Sequence, residues 1–186
     1  MPDFQSLLSD HQRVMQRVAT LEPRIKEASD CLNHALKSGK KIMLCGNGGS
    51  AADAQHIAAE IVGRFESERK GLPAIALTTD TSILTAVGND YGYAKIFARQ
   101  VEALAQSGDV LIAYSTSGNS ENILAAAEAA VQSSCHLISM TGNGGGALGQ
   151  LAHIDLCVES ERTARIQEAH GFIGHVLCAA IDKAFQ

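Results

Sequence analysis

The chain has 186 residues, of which 46% are hydrophobic and 19% charged, a balance typical of one globular domain rather than of a disordered chain. Its net charge of -5 at pH 7 argues against binding to nucleic acid or to anionic membranes. No apolar stretch is long enough to span a bilayer and no signal peptide is recognisable, so we expect a cytoplasmic protein.

Residues 1–38 predict two helices. Apolar side chains recur at helical spacing on both sides of Pro23, a residue that ends one helix and begins the next. We interpret residues 1–38 as an N-terminal helical segment and residues 40–186 as an α/β core, and expect both to belong to one domain that spans residues 1–186.

After residue 40 short apolar runs alternate with helical stretches. The runs predict buried strands at 41–45, 73–77, 110–114, 137–140 and 154–158. Helices are predicted at 51–65, at 81–105 with a break across 88–92, at 121–132 and at 162–185. This alternation predicts an α/β fold with a doubly wound parallel sheet of about five strands and helices on both of its faces.

Three predicted strands run into turns of asparagine and small residues, which we name the asparagine turn (46–50), the serine turn (115–120) and the glycine turn (141–146). In doubly wound sheets the carboxyl ends of the strands form the ligand crevice. The asparagine turn lacks the lysine of a P-loop, and Asn47 with the amides of Gly48 and Gly49 suits sugar hydroxyls. The glycine turn has no hydroxyl cluster after Thr141, and we interpret it as structural.

The serine turn predicts a phosphate site. It offers four hydroxyls that can donate to phosphate oxygens, and a predicted helix follows whose N-terminal amides add partial positive charge. The alternative is an ordinary polar turn in which a serine or asparagine caps that helix. The density of hydroxyls favours phosphate, and the residues concerned are Ser115, Thr116, Ser117 and Ser120.

Two pairs of residues could supply metal ligands or an acid and a base. His56 and Glu60 are one helical turn apart, so both can face one point. Gln167 and His175 flank the apolar stripe of the last predicted helix, about 12 Å apart along its axis and roughly 80° around it. This separation leaves open whether Gln167 and His175 share one site, serve neighbouring sites or act in different subunits.

The last predicted helix also carries a face of small residues, formed by Gly171, Gly174 and Cys178. Small side chains let another helix approach closely, so this face predicts tight helix packing. We expect oligomerisation through helices from the same feature.

Residues 45–56, with the sequence Cys-Gly-Asn-Gly-Gly-Ser-Ala-Ala-Asp-Ala-Gln-His, closely resemble the opening motif of bacterial phosphoheptose isomerases. Residues 60, 63–65, 88–90, 115–120 and 163–170, together with His175, resemble further motifs of the same family. The resemblance extends from about residue 40 to the C-terminus, and its motifs follow the order of the family.

The resemblance implies a sugar isomerase (SIS) fold, a flavodoxin-like sandwich, with N-terminal helices for oligomerisation into a homotetramer that has active sites at subunit interfaces. The implied reaction converts a phosphorylated seven-carbon sugar, sedoheptulose 7-phosphate, to D-glycero-D-manno-heptose 7-phosphate for ADP-heptose and lipopolysaccharide-core synthesis. One zinc ion per subunit is implied, bound by His56, Glu60, Gln167 and His175. The implied substrate contacts are Asn47, Gly48, Gly49, Glu60, Asn89, Asp90, Ser115, Thr116, Ser117, Ser120 and Gln167.

Interconversion of an aldose and a ketose moves a proton between C1 and C2 through an enediol, which requires a base and an acid. Glu60 is the candidate base and His175 the candidate acid, while zinc could polarise the substrate oxygens. Asp90 either orients a hydroxyl, relays a proton or is a simple turn residue.

Two other function classes fit the fold. One is a non-catalytic SIS-domain protein that associates with a replication initiator, from which we expect the equivalents of Glu60 and His175 to be absent. The other is a sugar-phosphate-sensing regulator with a DNA-binding domain, which the acidic charge disfavours. The presence of both residues favours the enzyme.

Overall fold

A five-stranded parallel sheet lies at the centre of the structure, a computed structural model that describes residues 3–186. Its strands are β1 (Ile42–Cys45), β2 (Ala74–Ala76), β3 (Val110–Ser115), β4 (His136–Gly142) and β5 (Ile154–Val158). They pair in the order β2-β1-β3-β4-β5, and each neighbouring pair is parallel. In this flavodoxin-like order the winding reverses between β1 and β3, which opens a crevice at the carboxyl ends of these two strands.

Within residues 3–186 the sheet is covered by eight α-helices: α1 (Phe4–Val18), α2 (Glu22–Lys37), α3 (Gly49–Val62), α4 (Thr81–Tyr91), α5 (Ala98–Leu104), α6 (Glu121–Gln132), α7 (Gly146–Leu151) and α8 (Thr163–Ala184). Successive strand residues point to opposite faces of the sheet. Ile42 and Leu44 therefore join a core with α1, α2, α3 and α8, while Met43 and Cys45 join a second core with α5, α6 and α7. The predicted doubly wound sheet with helices on both faces is confirmed.

The N-terminal helical segment is observed as α1 and α2, joined by a short 3₁₀ turn at 19–21, with Pro23 in the first turn of α2. Residues 1 and 2 of the predicted segment lie outside the described residues. No helix in the described range is both long and apolar enough to cross a membrane.

Two local predictions are corrected by the structure. The predicted break across 88–92 falls at Gly92, and Asn89 and Asp90 belong to the last turn of α4, so the interpretation of Asp90 as a turn residue is wrong. The glycine turn continues into the short helix α7, which was not predicted. The main-chain N–H of Leu148 in α7 donates to the carbonyl of Gly118 in the serine turn at 2.9 Å. Local sequence does not reveal this contact between α7 and the serine turn.

Helices α3 and α8 run side by side in the same direction, with Gly49 against Gln167 and Ile57 against Gly174. A Cβ at position 174 would lie 2.6 Å from Cδ1 of Ile57, so the absence of a side chain there sets the close approach. Cys178 is also fully buried. Gly174 and Cys178 of the small-residue face are therefore packed inside the chain, whereas a Cβ at Gly171 would meet nothing within 4 Å among residues 3–186. Association of subunits through helices stays a prediction.

Candidate active site

His56 of α3 and His175 of α8 meet because these helices run in parallel. Their Nε2 atoms are 2.8 Å apart, and the two rings are arranged edge to face. Phe65, just beyond α3, stacks on the ring of His175 with centroids 5.3 Å apart. On the other side, Oε1 of Glu60 lies 3.8 Å from Nδ1 of His56. We name His56, Glu60, Phe65 and His175 the histidine cluster, and it contains three of the four predicted zinc ligands.

Gln167, the fourth predicted ligand, lines a cavity of about 610 Å³ together with His175. His11 of α1 and Asp53 of α3 also line this cavity. The structure thus places Gln167 and His175 beside one cavity of the same chain, despite their separation along α8.

The chemistry of the two facing imidazoles limits what can lie between them. Two Nε2 atoms at 2.8 Å are at the distance of an N–H···N hydrogen bond that shares one proton. A zinc ion with bonds of about 2.0–2.1 Å to both nitrogens would require the rings to move slightly apart. In residues 3–186 no three side chains drawn from histidine, cysteine, aspartate and glutamate are close enough together to hold a metal ion. In this arrangement only the two histidine nitrogens converge, while Glu60 lies beside the other ring nitrogen of His56.

Asn47, in the asparagine turn, lies at the crevice between β1 and β3. Its Nδ2 donates to Oδ1 of Asn122 at 2.9 Å, and Nδ2 of Asn122 donates back to Oδ1 of Asn47 at 2.8 Å. The hydroxyl of Tyr93 donates to the same Oδ1 of Asn47 at 3.1 Å. Asn47, Gly48 and Tyr93 line a second cavity of about 310 Å³. The predicted sugar-binding turn is therefore tied directly to α6, the helix that follows the serine turn.

The serine turn has a built conformation. The hydroxyls of Ser115 and Ser120 lie 3.0 Å apart, and Gly118 has φ +66°. A Cβ at position 118 would lie 1.9 Å from the carbonyl oxygen of Gly145, so the serine turn packs directly on the glycine turn. Ser120 is the N-cap residue of α6, yet its side chain makes no capping hydrogen bond. This argues against the ordinary capped turn and leaves the N-terminal amides of α6 without a side-chain acceptor.

The remaining predicted substrate residues differ in their surroundings. In the serine turn Thr116 is half-buried and Ser117 is exposed, with its Oγ accepting from the main-chain N–H of Asn119 at 3.2 Å. Asn89 and Asp90 are exposed on α4, where Nδ2 of Asn89 donates to Oδ1 of Asp90 at 2.8 Å. Within residues 3–186 the side chains of Asn89 and Asp90 form no hydrogen bond to another predicted site residue.

Buried titratable groups lie next to the site. Burial raises the pKa of Asp53, while nearby His56 opposes that effect, and Oδ2 of Asp53 makes no hydrogen bond to residues 3–186. Burial lowers the pKa of His170 to about 4, although its Nε2 bonds the carbonyl of Thr141 at 2.9 Å. His170 is therefore neutral at pH 7, with Nε2 as the donor.

Several residues that hold the site in place are not recognisable from the sequence patterns alone. Asn122 and Tyr93 fix Asn47, and Phe65 packs on His175. Arg69 donates from Nη2 to the carbonyl of Glu60 at 2.9 Å. Phe65 follows Gly-Arg in one of the resembling motifs, which is the single signal that could have drawn attention to it.

Comparisons with known proteins show the family and the fold of this chain. Residues 8–142 match the family model of the SIS domain. The chain is 57% identical to a phosphoheptose isomerase from a Nitratiruptor species over 96% of both chains. The chain belongs to the phosphoheptose isomerase family. Solved structures of phosphoheptose isomerases from Neisseria gonorrhoeae and Francisella tularensis match with TM-scores of 0.91 and 0.93, at 43% and 42% identity, each over 96% of both chains. The family resemblance and the SIS fold are confirmed.

Proposed function

We propose that this protein is an aldose–ketose isomerase that converts sedoheptulose 7-phosphate to D-glycero-D-manno-heptose 7-phosphate, the first step toward ADP-heptose and the lipopolysaccharide core. Membership of the phosphoheptose isomerase family makes it a sugar-phosphate isomerase. One observation carries the finer proposal: Gly49 of the asparagine turn lies against the side chain of Gln167, which lines the same cavity as His175. This contact supports a single site formed by the predicted sugar-binding turn and the candidate acid.

In this proposal the serine turn and the N-terminus of α6 bind the phosphate. The hydroxyls of Ser115, Thr116, Ser117 and Ser120 donate to its oxygens, and the amides of α6 add partial positive charge. The sugar hydroxyls contact the asparagine turn and Gln167, with Asn89 and Asp90 at the α4 side. The 310 Å³ cavity is lined by Asn47 and by Leu84 and Thr85 of α4, whereas Gln167 lines the 610 Å³ cavity, so a bound sugar would have to contact both cavities.

Glu60 acts as the base that moves a proton between C1 and C2, and His175 acts as the acid toward the carbonyl oxygen. Two contacts support these roles by fixing the groups: Phe65 stacks on the ring of His175, and Arg69 holds the main chain at Glu60. The enediol forms when Glu60 takes the proton from C1 and His175 donates a proton to the carbonyl oxygen on C2. The product forms when Glu60 returns its proton to C2 and the hydroxyl proton on O1 passes back to His175.

We also propose that His56, Glu60, Gln167 and His175 bind one zinc ion per subunit. Two imidazole nitrogens 2.8 Å apart, with a carboxylate beside them, belong to the nitrogen and oxygen donors that zinc accepts. When bound, zinc would polarise the carbonyl and hydroxyl oxygens of the sugar.

A cytoplasmic homotetramer with active sites at subunit interfaces is part of the proposal. No residue of α4 is buried within the chain, and its apolar residues Ile83 and Tyr91 are 38% and 60% exposed. Such apolar residues beside the predicted substrate residues Asn89 and Asp90 favour contact of α4 with a second subunit.

The test is to incubate the purified protein with sedoheptulose 7-phosphate, with and without zinc, and to follow heptose 7-phosphate. We expect turnover that rises with zinc and that falls by about 10²–10⁴ in Glu60→Gln and in a His175 variant. Glu68→Gln is the matched control, since the Glu68 side chain is 91% exposed and, among residues 3–186, pairs only with Arg64 at 3.8 Å. A loss below tenfold for either residue removes its assigned role. No turnover with any metal, in a folded protein, favours the non-catalytic partner-binding protein instead.

A further inference from the structure

The side chain of Asn47 is held by two residues that the proposed function does not use. Asn47 and Asn122 pair amide to amide, each donating to the oxygen of the other at 2.8–2.9 Å. Tyr93 donates a further hydrogen bond to Oδ1 of Asn47 at 3.1 Å. Both acceptor positions of this oxygen are therefore occupied, while one N–H of Nδ2 has no partner within residues 3–186.

The three residues come from different parts of the fold. Asn47 follows β1, Asn122 is in the first turn of α6, and Tyr93 follows the end of α4. Asn122 is 3% exposed, so water competes little for its amide, whereas Tyr93 is 64% exposed. An amide pair in such a shielded place defines the plane of the Asn47 side chain, because turning either amide would break both bonds.

We propose that Asn122 and Tyr93 are positioning residues for Asn47, and that together they make Asn47 a hydrogen-bond donor toward the substrate. This proposal rests on the proposed role of Asn47 in sugar binding. The remaining N–H of Asn47 selects a substrate oxygen that accepts, a carbonyl or hydroxyl oxygen, at the crevice between β1 and β3. Asn122 belongs to the helix that begins after the serine turn, so the same contact sets the position of Asn47 relative to the phosphate.

A double-mutant cycle separates this role from a merely structural one. If Tyr93 and Asn122 act through Asn47, their removal has no further effect once Asn47 is already alanine. We expect Tyr93→Phe to lower kcat/KM by about fivefold, as for the loss of one hydrogen bond, and Asn122→Ala by about 10- to 100-fold. In the Asn47→Ala background we expect less than about twofold from either change.

Losses that multiply in the double variants would overturn the proposal, and so would a Tyr93→Phe protein with wild-type kcat/KM. Tyr93→Phe keeps the aromatic ring at an exposed position, so this arm remains informative even when Asn122→Ala does not fold. The control is Ser133→Ala, which removes a hydroxyl at the C-terminal end of α6, at the end of the sheet opposite the crevice. Ser133→Ala should leave kcat/KM at the wild-type value.

A second measurement does not depend on activity. The side-chain amide resonances of Asn47 in ¹⁵N-labelled protein without substrate should shift in both Tyr93→Phe and Asn122→Ala. Unmoved Asn47 resonances in both variants would overturn the positioning role. A wild-type protein without turnover of sedoheptulose 7-phosphate would instead contradict the proposed function, and the resonances would still decide whether Asn47 is held as described.

Discussion

Replacing Asp182 by asparagine should cost about 3–5 kcal/mol of the free energy of unfolding. Asp182, near the end of α8, is 3% exposed. Its Oδ1 accepts from Nε of Arg69 at 2.7 Å, and its Oδ2 accepts from the main-chain N–H groups of Glu66 at 2.8 Å and Ser67 at 2.7 Å. Burial raises the pKa of Asp182, but these hydrogen bonds and the charge of Arg69 outweigh burial and hold the pKa below its ordinary value.

The magnitude follows from the surroundings of Arg69, whose side chain is 0% exposed. Its other nitrogens donate to main-chain carbonyls, including those of Ile61 at 3.0 Å and Glu60 at 2.9 Å. Carbonyls carry no net charge, so Asp182 supplies the counter-charge. In Asp182→Asn the new NH₂ group must face either Nε of Arg69 or the main-chain N–H groups, a donor against a donor. Removing one partner of a buried ion pair in this way typically costs about 3–5 kcal/mol.

Urea unfolding followed by far-UV circular dichroism, at one protein concentration, measures this loss. The control is Glu27→Gln, since Glu27 pairs with Arg24 at 3.0 Å with both side chains more than half exposed (51% and 57%). We expect the control to lose less than about 1 kcal/mol. A loss for Asp182→Asn below about 1 kcal/mol, or equal to that of the control, would refute this account of the pair.

The pH dependence provides an independent check. Because the folded pKa of Asp182 lies below its ordinary value of 3.8, its contribution is fully present above that value and is lost as pH falls through the folded pKa. The difference in stability between wild type and Asp182→Asn should stay constant from about pH 8 to pH 5 and shrink below about pH 4. A difference that disappears between about pH 8 and pH 5 would assign the effect to another group.

Three further changes test the site and its surroundings. Gly118→Ala should lose more than about 1 kcal/mol of stability and raise KM, because a Cβ there would lie 1.9 Å from the carbonyl oxygen of Gly145. Urea unfolding measures the stability and initial rates measure KM. An unchanged KM would count against the phosphate site. Gly49→Ala should keep stability within about 1 kcal/mol of wild type but lower turnover at least about tenfold. The added Cβ would lie 2.7 Å from Nε2 of Gln167 and would displace the end of that flexible side chain. Unaltered turnover would show that the position of Gln167 is unimportant. His170→Gln should lose less stability than wild type on acidification, by up to about 3 kcal/mol. Burial lowers the pKa of His170 to about 4, so its contribution disappears as pH falls from the unfolded pKa of 6.5 through that value. Urea titrations of both proteins at about pH 7 and pH 4.5 measure the losses, and equal losses for the two proteins would contradict this.

Much of the fold follows from local patterns. The apolar run 154–158 and the helical stretch 121–132 have the same bounds in sequence and structure, because each is bordered by polar or small residues. Helix α7 was not predicted, since it has only 6 residues and two glycines, and contacts with the serine turn stabilise it. Along α8 Leu177 and Ile181 are buried while Val176 is not, because α8 packs against α3 as well as the sheet.

Of the contacts in the site, only those set by spacing along a single helix could be predicted from the sequence. His56 and Glu60 share a helical face, so their proximity follows from the sequence. The meeting of His56 with His175 depends on the parallel course of α3 and α8, which spacing within α8 does not reveal. Asn122 was missed for a similar reason, since its importance lies in a partner 75 positions away. The zinc ligands and catalytic roles inferred from the family resemblance remain predictions.

The contact between His56 and His175 joins residues 119 positions apart, and α8 is the last helix of the chain. A contact of such long range forms late, because the intervening chain must first be closed into a loop. On the ribosome, the first four strands can emerge and collapse while the partner of His56 is still unsynthesised. The nascent chain is therefore without its paired imidazoles until α8 has emerged, and docking of α8 is the step that brings His56 and His175 together in the candidate active site.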